Sequence, residues 1–580
     1  MSSKLACRGN FDTVSCTLTT AMNVLERSIL RRILCCSVAS VSLTLASIPV
    51  SAQFATNGVS GMRGVYRGAA VAGDFDRDGN MDLLFGGDQA VGYFTTIWRN
   101  NGDGTFSDFA EFDGTLSSGL AAGDFYNTGQ LDLILTGIGG APSVEFFHNL
   151  GNGNFTFVSG SGLLGIQNGF IAVGDFNNDG KLDIVVSGYT NFNSSGIPRT
   201  RLCRNLGNGT FAVSSAGLTG YGPLFVGDFD NDGYLDILIG GQLWRNLGNG
   251  TFTNVTSGLP GNATAIGDFD NRGYLDVLVG NVVWRNLGNG TFTNVGAGII
   301  GTGVSVGDYD NDGNLDILSN YITNNTAFVQ VWRNLGNGNF LNSFTISNAP
   351  GLGSMLWGDF NNDGQLDFFV TGQQAQDQNG DPICVAQIWQ NTLTGSNSPP
   401  TAPTNLTSHL IGGSGVRLNW GAATDDHTPA SGLNYNIRVG SSPGALDIVS
   451  PMADPVTGKR LVVQIGNAQT RLFSILTNLT GGTYYWSVQA IDTAFAGGAF
   501  ATESTFVIPP SISGWAYQTN GQFQVNFNAL AGSSYTLQAS SNLVQWTFVA
   551  NVIPGVTGPA QLTDTNASSF PTRYYRLSCP

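Results

Sequence analysis

The residues with the clearest chemistry form a short acidic segment, which reads DFDNDGYLD from Asp228 to Asp236. Asp occupies positions 1, 3, 5 and 9, and Gly233 stands at position 6, where a sharp turn favours a residue without a Cβ. Ca²⁺ binds about six to eight oxygen atoms and favours carboxylates on a tightly turning loop. A helix–loop–helix calcium site would place Glu at position 12, but here position 12 is Ile239 in an apolar run. The segment therefore predicts a calcium loop between two β-strands.

The same pattern recurs along the chain, and we number its copies loops one to seven. The copies begin at Asp74, Asp124, Asp175, Asp228, Asp268, Asp308 and Asp359. Each follows an apolar segment ending in Gly and precedes a strand-like run such as LDVLVG; most continue into WRN, a Gly/Asn turn and TF. Asn-Gly between two strand-like runs is a strong hairpin signal. Each repeat is therefore predicted to contain four short strands.

Successive loops begin 40 to 53 residues apart. Four-stranded repeats of this length are typical of β-propeller blades rather than of helical solenoids. The last repeat ends in IWQNTLTGSNSPP without a GNGTF strand, whereas QFATNGVSG, beginning at Gln53, looks like the missing piece. We therefore predict that the strand around Phe54 completes the seventh blade.

The GDFDxDGxLD…WRNxGNGTF units resemble the FG-GAP-like, or VCBS, repeats of bacterial extracellular proteins, which are similar in pattern to the propeller of integrin α-subunits. The resemblance covers residues 53–395. It implies an all-β, seven-bladed β-propeller with calcium in the loops between the first and second strands of a blade.

Five loops keep oxygen-bearing side chains at positions 1, 3, 5 and 9, and the residue at position 7 can add its backbone carbonyl. The predicted metal-binding residues are Asp74, Asp76, Asp78, Asn80 and Asp82; Asp175, Asn177, Asp179, Lys181 and Asp183; Asp228, Asp230, Asp232, Tyr234 and Asp236; Asp308, Asp310, Asp312, Asn314 and Asp316; and Asp359, Asn361, Asp363, Gln365 and Asp367. With one ion for each such loop, we expect about five Ca²⁺ ions as cofactors.

Loops two and five depart from the pattern. Loop two has Tyr126 and Thr128 where carboxylates are expected, so we predict that it holds no metal. Loop five has Arg272 at position 5, and its guanidinium is predicted to neutralise the neighbouring carboxylates in place of an ion.

The remaining sequence suggests an exported chain with further β-modules. Residues 1–52 contain basic residues, an uncharged apolar run and the small-residue pattern Val50-Ser51-Ala52, which predict a signal peptide. Residues 396–403 are a Pro- and Ser-rich linker. Residues 404–507 resemble a fibronectin type III domain, with Trp420 and Trp486 in its core and Tyr484 as its corner tyrosine. Residues 508–580 show alternation typical of a small β-module, for which the sequence suggests no chemistry.

The charge composition limits the classes of partner that the chain can bind. The chain has 24 basic and 40 acidic residues and a formal net charge of −16, which disfavours nucleic acid. We expect a bacterial protein that is secreted or at the cell surface, monomeric, and without a membrane span once the signal is removed.

The connections between the second and third strands are long in repeats one, two, three, six and seven and short in four and five. If the repeats form a ring, the long connections make one continuous wall, and exposed loops on a rigid scaffold often carry recognition. The candidate ligand-binding residues there are Tyr93, Tyr189, Phe192, Arg199 and Tyr321.

The sequence therefore predicts a non-catalytic calcium-binding protein for adhesion or for binding an extracellular glycan or protein. One alternative is a propeller-type polysaccharide lyase or other carbohydrate-active enzyme that uses His148 with Tyr and Arg residues, and another is a structural cell-surface spacer.

Overall fold

The computed structural model describes residues 53–579 except 57–60, 90–91, 114–118, 138–141, 192–196 and the single positions 302, 325, 337, 352, 377 and 379. The predicted signal peptide and Phe192 lie outside the described residues. Residues from Ala52 onward form one compact unit. Within the described part, no helix is long and apolar enough to cross a bilayer.

Seven four-stranded antiparallel sheets occupy the first two thirds of the chain. A short strand, β1 (Phe54–Thr56), comes first. Sheets one to three contain β2 (Tyr66–Gly73), β3 (Asp82–Asp88), β4 (Tyr93–Asn100) and β5 (Phe106–Phe112); β6 (Leu120–Gly123), β7 (Asp132–Thr136), β8 (Val144–Asn149) and β9 (Phe155–Phe157); and β10 (Gln167–Gly174), β11 (Asp183–Tyr189), β12 (Arg199–Asn205) and β13 (Phe211–Ser214). Sheets four and five contain β14 (Leu224–Gly227), β15 (Asp236–Ile239), β16 (Gln242–Asn246) and β17 (Phe252–Val255); and β18 (Ala263–Gly267), β19 (Asp276–Val279), β20 (Val282–Asn286) and β21 (Phe292–Ala297). Sheets six and seven contain β22 (Gly303–Gly307), β23 (Asp316–Thr323), β24 (Thr326–Asn334) and β25 (Phe340–Ser347); and β26 (Met355–Gly358), β27 (Asp367–Gln376) and β28 (Pro382–Asn391) together with β1.

The fourth strand of sheet seven comes from the other end of this region. β1 pairs antiparallel with β28, and Phe54 lies opposite Asn391. The Phe54 ring is buried against Trp357 and Phe368, because its strand faces the apolar side of sheet seven.

Apolar clusters join each sheet to the next. Phe125 and Ile184 belong to one cluster between sheets two and three. The cluster that contains Phe85 of sheet one also contains Phe369 of sheet seven, and β2 contacts the first strands of both neighbouring sheets, β6 and β26. The first and last sheets therefore share a core.

A buried Asn ends the third strand of every sheet and adds a polar link between sheets. Its side-chain amide donates to the carbonyl of the aromatic residue at position 2 of the preceding sheet's loop, and sheet one is linked in this way to sheet seven. The seven pairs, with bonds of 2.7–2.8 Å, are Asn100–Phe360, Asn149–Phe75, Asn205–Phe125, Asn246–Phe176, Asn286–Phe229, Asn334–Phe269 and Asn391–Tyr309.

Residues 404–507, the middle region, form two three-stranded sheets. The strands are β29 (Thr404–Ile411), β30 (Gly415–Gly421), β31 (Asn434–Gly440), β32 (Phe473–Leu476), β33 (Gly482–Ile491) and β34 (Ser504–Ile508), in the orders β29-β30-β32 and β31-β33-β34. Trp420 and Trp486 are buried in the shared core with ring centroids 6.4 Å apart. The Tyr484 hydroxyl donates to the Thr480 carbonyl at 2.7 Å, as a corner tyrosine would.

Residues 508–580, the C-terminal module, form two further three-stranded sheets. The elements are β35 (Ile512–Tyr517), β36 (Phe523–Ala529), β37 (Tyr535–Ser540), β38 (Thr547–Val552), β39 (Gly558–Asp564), a 3₁₀ helix (Ala567–Ser569) and β40 (Tyr574–Ser578). The orders are β35-β36-β39 and β38-β37-β40. The chain is thus all-β apart from this single turn of helix in the described residues.

Candidate metal centres

The seven loops share one backbone conformation. In loop four, Asn231 at position 4 has φ 56° and Gly233 at position 6 has φ 103°, which is the left-handed region where Gly and Asn are favoured. This turn lets the Asp228 carboxylate accept hydrogen bonds from the backbone N–H groups of Asp232 (3.0 Å) and Gly233 (2.8 Å). Asp and Gly at these positions therefore shape the loop even before any ion is considered.

The position-9 carboxylate ties each loop to its sheet. Asp236 accepts from the backbone N–H of Phe229 at 3.2 Å and of Asn246 at 2.8 Å. It is only 1% exposed, and burial raises its pKa to about 8. Burial thus favours the protonated form of Asp236 unless a cation lies close by, although the two backbone N–H bonds favour the carboxylate.

Loops one, four and six gather carboxylates closely enough to share an ion. Each has three Asp residues with oxygen atoms within 4.8 Å of one another. Burial raises the pKa of Asp74 to about 6 and that of Asp308 to about 7. Asp310 Oδ1 in loop six is buried and has no hydrogen-bond partner among the described residues. Closely grouped carboxylate oxygens are the hard ligands that Ca²⁺ prefers, and the ion would neutralise them when bound.

Loops three and seven have Asn at position 3 and so carry fewer carboxylates. Asn177 and Asn361 each lie beside the position-5 Asp, with amide-to-carboxylate bonds of 3.2 and 3.0 Å. Burial raises the pKa of Asp175 to about 7 and that of Asp367 to about 8. These loops still offer oxygen ligands, although Lys181 lies 3.2 Å from Asp179 in loop three.

An Arg on the third strand braces the acidic loops, which the sequence reasoning missed. Arg245 Nε lies 2.6 Å from Asp230, and its terminal nitrogen lies 3.0 Å from Asp232. Arg99 and Arg333 make the equivalent ion pairs in loops one and six. The signal was present in the recurrent WRN, since the Arg occupies the same place in each of these repeats.

Loop five contains two guanidinium groups. Arg272 lies 2.7 Å from Asp270 and 3.7 Å from Asp276, while Arg285 lies 2.6 Å from Asp270. Asp268, Asp270 and Asp276 are as closely grouped as the carboxylates of loops one, four and six. Two cations nevertheless face three carboxylates here, so little negative charge is left for a divalent ion.

In loop two, the imidazole of His148 contacts the position-9 carboxylate. His148 Nδ1 lies 2.7 Å from Asp132 Oδ1, and the His148 ring lies 4.0 Å from the Tyr126 ring. The hydrogen bond to Asp132 raises the pKa of His148 and so favours imidazolium. His148 therefore serves as a local countercharge within a loop that lacks the carboxylates of the others.

The middle region covers the loops. Asp74 N donates to the Leu461 carbonyl at 3.0 Å, Asp308 N donates to the Thr493 carbonyl at 3.1 Å, and Arg471 lies 3.1 Å from Asp228. The other four loops are also contacted, through the pairs Asn127–Ile448, Asn178–Thr477, Asn271–Ser431 and Asn362–Lys459. All seven loops thus lie against one module.

A cavity of about 480 Å³ lies beneath this cover. First-strand residues such as Val173, Val226 and Ile266 line it on one side, and Ile465 and Arg471 of the middle region line it on the other. The middle region therefore bounds the space between the sheets at the loop side.

The candidate ligand-binding residues do not converge. Tyr189 packs edge-on against Tyr221 with ring centroids 5.4 Å apart, and Tyr321 stacks on Phe328 at 5.0 Å. Tyr93 is 43% exposed and Arg199 is exposed at the start of β12. Among the described residues, none of these four side chains makes a hydrogen bond or a ring contact with another of the four.

Some of the long connections between second and third strands, predicted as loops, are paired strands in the structure. In sheets six and seven the additional residues lengthen the strands, so that β27 and β28 have 10 residues each, whereas β15 has 4. Backbone pairing continues from Phe368–Trp389 out to Gln376–Pro382. The wall is therefore built partly from extended hairpins, which are stiffer than free loops.

Comparison with solved structures gives distant matches only. The extracellular domains of a hybrid two-component system and of a one-component system, both from B. thetaiotaomicron, match with 12% and 11% identity and TM-scores of 0.34 and 0.33. These matches cover 78% and 77% of this chain and 57% and 58% of those chains. The FN1–FN3 domains of chicken CNTN1 match at 15% identity and a TM-score of 0.15, over 31% of this chain and 61% of theirs.

Comparison at the level of sequence is more specific. No curated protein matches the chain. A family model described as FG-GAP-like repeat matches residues 74–135, 124–186, 268–319 and 308–370, which include every loop except loop four. Loop four makes the same backbone-to-carboxylate bonds as the matched loops. Residues 74–186 and 268–370 therefore carry FG-GAP-like repeats.

Proposed function

We propose that the chain is an extracellular, calcium-stabilised seven-bladed β-propeller that binds a glycan or protein without a catalytic step. The cycle of seven buried Asn bonds, with Asn100 of sheet one bonded to Phe360 of sheet seven, supports a closed ring. The export signal predicted from the sequence and the FG-GAP-like repeats support a place outside the cell.

Calcium in five loops is the metal assignment that the charges favour. Loops one and six each have four Asp side chains against one strand Arg, and loop four has four against Arg245 and Arg471. Loop three has three Asp against Lys181, and loop seven also has three Asp. Loop five has two Arg for three Asp, and loop two has a His for two. The ion would neutralise loops one, three, four, six and seven and hold their turns, while loops two and five use side chains instead.

One observation carries the assignment of the binding face: the middle region lies against all seven loops. A ligand would have to displace buried contacts such as Arg471–Asp228 to reach the loop face. The opposite face carries the extended hairpins, with exposed Tyr93 and Arg199. We therefore assign recognition to that wall, and His148, which is engaged by Asp132 on the loop side, is given no catalytic role.

The experiment is a glycan and extracellular-protein array probed with calcium-loaded protein, with the glycan wells also assayed for unsaturated or newly released sugar ends. We expect retention without product, weakened by Tyr189→Ala and Arg199→Ala but not by Tyr274→Ala on the loop side. Product formation would favour the lyase alternative. Failure to retain any glycan or protein would favour the spacer.

A further inference from the structure

The C-terminal module exposes more large apolar side chains than its size would suggest. Trp515 is 69% exposed, Phe548 64%, Tyr517 57% and Tyr574 43%. Soluble domains seldom leave several large aromatic rings in water on one small module unless the rings contact a partner. The module is therefore a candidate interaction surface in its own right.

Charge in this module is sparse and unevenly paired. Its only charged side chains are Asp564, Arg573 and Arg576. Arg573 Nε lies 2.6 Å from the buried Asp564 carboxylate, which satisfies both charges. Within the described residues, Arg576 makes no ion pair and instead donates to Gln538 Oε1 at 2.8 Å. Among the residues that the structure describes, one guanidinium thus has no carboxylate partner.

Strand alternation places this Arg among aromatic rings. In β37, Leu537 and Ala539 point into the core, so Gln538 between them points to the outer face of the β38-β37-β40 sheet. Gln538 lies opposite both Phe548 of β38 and Arg576 of β40. Phe548, Gln538 and Arg576 therefore form one row across the outer face, about 10 Å from end to end.

Two more rings extend this row. The Arg576 guanidinium lies 4.5 Å from the centroid of the Trp546 ring, a cation–π distance. Tyr574 precedes Arg576 by two residues on β40 and so points to the same outer face, about 7 Å along the strand. We call Trp546, Phe548, Tyr574, Arg576 and Gln538 the aromatic platform.

The aromatic platform lies at the end of the module that is remote from the rest of the chain. The junction is at the other end of the strands, where Thr483 N donates to Ser533 Oγ at 3.2 Å and the Tyr535 hydroxyl donates to the Gly481 carbonyl. β37 runs away from this junction towards Ser540, and β40 begins beside Ser540 at Tyr574. The platform is therefore accessible while the module stays attached.

We propose that the aromatic platform binds an acidic polysaccharide. The C–H face of a sugar ring packs on an aromatic ring, and its hydroxyls take hydrogen bonds from groups placed between the rings, as Gln538 and Arg576 are here. A sugar carboxylate supplies a partner that no described residue gives Arg576, and a guanidinium binds carboxylate through two parallel bonds. A protein partner would favour a continuous apolar patch, whereas these rings alternate with polar side chains.

This site goes beyond the proposed function and does not depend on it. It involves no metal loop, and it lies in a module with its own buried core around Val525, Phe527 and Leu537. Binding at the platform should therefore persist when calcium is chelated, unlike binding that needs an intact calcium-loaded ring.

The test uses the full chain and immobilised polysaccharides, with dissociation constants measured by biolayer interferometry in calcium and in EDTA. The acidic probes are polygalacturonate, alginate and hyaluronan; the neutral ones are methyl-esterified polygalacturonate and dextran. Phe548→Ala and Arg576→Gln should each weaken binding to an acidic probe by about tenfold. Trp515→Ala is the matched control, since it removes an equally exposed ring from the other sheet of the same module.

Each outcome is decisive. Retention on an acidic probe that is lost in Phe548→Ala and Arg576→Gln but kept in Trp515→Ala, with or without calcium, supports the platform. No retention on any acidic probe, or equal retention on the methyl ester, overturns it. Binding that is lost in Tyr189→Ala and kept in Phe548→Ala belongs to the wall, which overturns the platform and supports the proposed function.

Discussion

At the scale of single residues, charge balance separates the loops from one another. All seven use the same backbone bonds to the position-1 carboxylate, as Asp228 and Asp268 illustrate. They differ in the balance of charges: Arg245 and Arg471 face four Asp in loop four, whereas Arg272 and Arg285 face only three Asp in loop five. Replacement of one side chain is therefore expected to change whether a loop needs an ion.

Arg272→Asp should convert loop five into a metal-binding loop. The change removes one guanidinium and adds a carboxylate at position 5, while Arg285 stays on Asp270 as Arg245 stays on Asp230. The bound calcium measured by mass spectrometry of dialysed protein should rise from about five ions per chain to about six.

Thr128→Asp in loop two is the control for this substitution. It adds the same carboxylate, but Tyr126 still occupies position 3 and His148 still pairs with Asp132, so no ion should be gained. Six ions in the unmodified protein, or no gain in Arg272→Asp, would contradict the assignment of Arg272 as the local countercharge.

At the scale of elements, the buried Asn at the end of each third strand links neighbouring sheets. Asn246 is 1% exposed and donates to both Phe176 O and Leu235 O. Asn246→Ala leaves two buried carbonyls without these donors, so it should lower the free energy of unfolding by about 1–3 kcal/mol. Urea unfolding would measure this, with the exposed Asn254→Ala as a control near zero.

The same substitution at Asn100 tests whether the ring is closed. Asn100 is fully buried and bonds to Phe360, which belongs to the last sheet rather than to a neighbour in sequence. If the sheets close into a ring, Asn100→Ala should cost as much as Asn246→Ala. A much smaller cost for Asn100→Ala would mean that sheets one and seven separate readily in solution.

The elements show how far the sequence could predict the fold. Short strand-like runs and Asn-Gly turns predicted four strands per repeat, and the structure has seven four-stranded sheets with those strands. The Asn bonds were not predictable, since Asn246 and its acceptor Phe176 are separated by 70 residues and meet only when sheets pack. The extended hairpin of sheet seven was likewise missed, because QQAQDQNGDP lacks the apolar alternation of a buried strand.

The seven acidic loops were the easiest part to recognise, because the residues of the pattern lie within nine consecutive positions; metal binding by them stays a prediction. The basic side chains that contact these loops were less predictable. Arg245 comes from the next strand but one, and Arg471 comes from another module. Long-range contacts of this kind depend on how modules dock, which local patterns in the sequence do not encode.

At the scale of the whole molecule, the middle region and the loops form one interdependent unit. Arg471 is 6% exposed and pairs with Asp228, and the Thr493 hydroxyl donates to Asp308 at 2.7 Å. The same two carboxylates are predicted calcium ligands. Metal binding and docking of the middle region therefore act on the same atoms, and each should stabilise the conformation that the other requires.

This coupling predicts how stability depends on pH with and without calcium. In the metal-free protein, burial raises the pKa of Asp74 to about 6, of Asp308 to about 7 and of Asp236 to about 8, from an ordinary value of 3.8. Between about pH 4 and pH 8, therefore, these carboxyl groups still hold protons in the folded chain that they have released in the unfolded chain. The free energy of unfolding should fall as pH rises from about 4 to about 8.

Calcium should reverse this trend, because it binds the deprotonated carboxylates and competes better with protons as pH rises. Each ion adds about 2.7 kcal/mol of stability at a free concentration 100 times its Kd. The difference in melting temperature between calcium and EDTA, measured by scanning calorimetry, should therefore be small near pH 5 and large near pH 8. A difference that stays constant with pH would mean that the buried carboxylates are not the groups that bind the ion. If Mg²⁺ gave the same increase at equal concentration, the sites would not have the selectivity expected of a flexible, oxygen-rich loop.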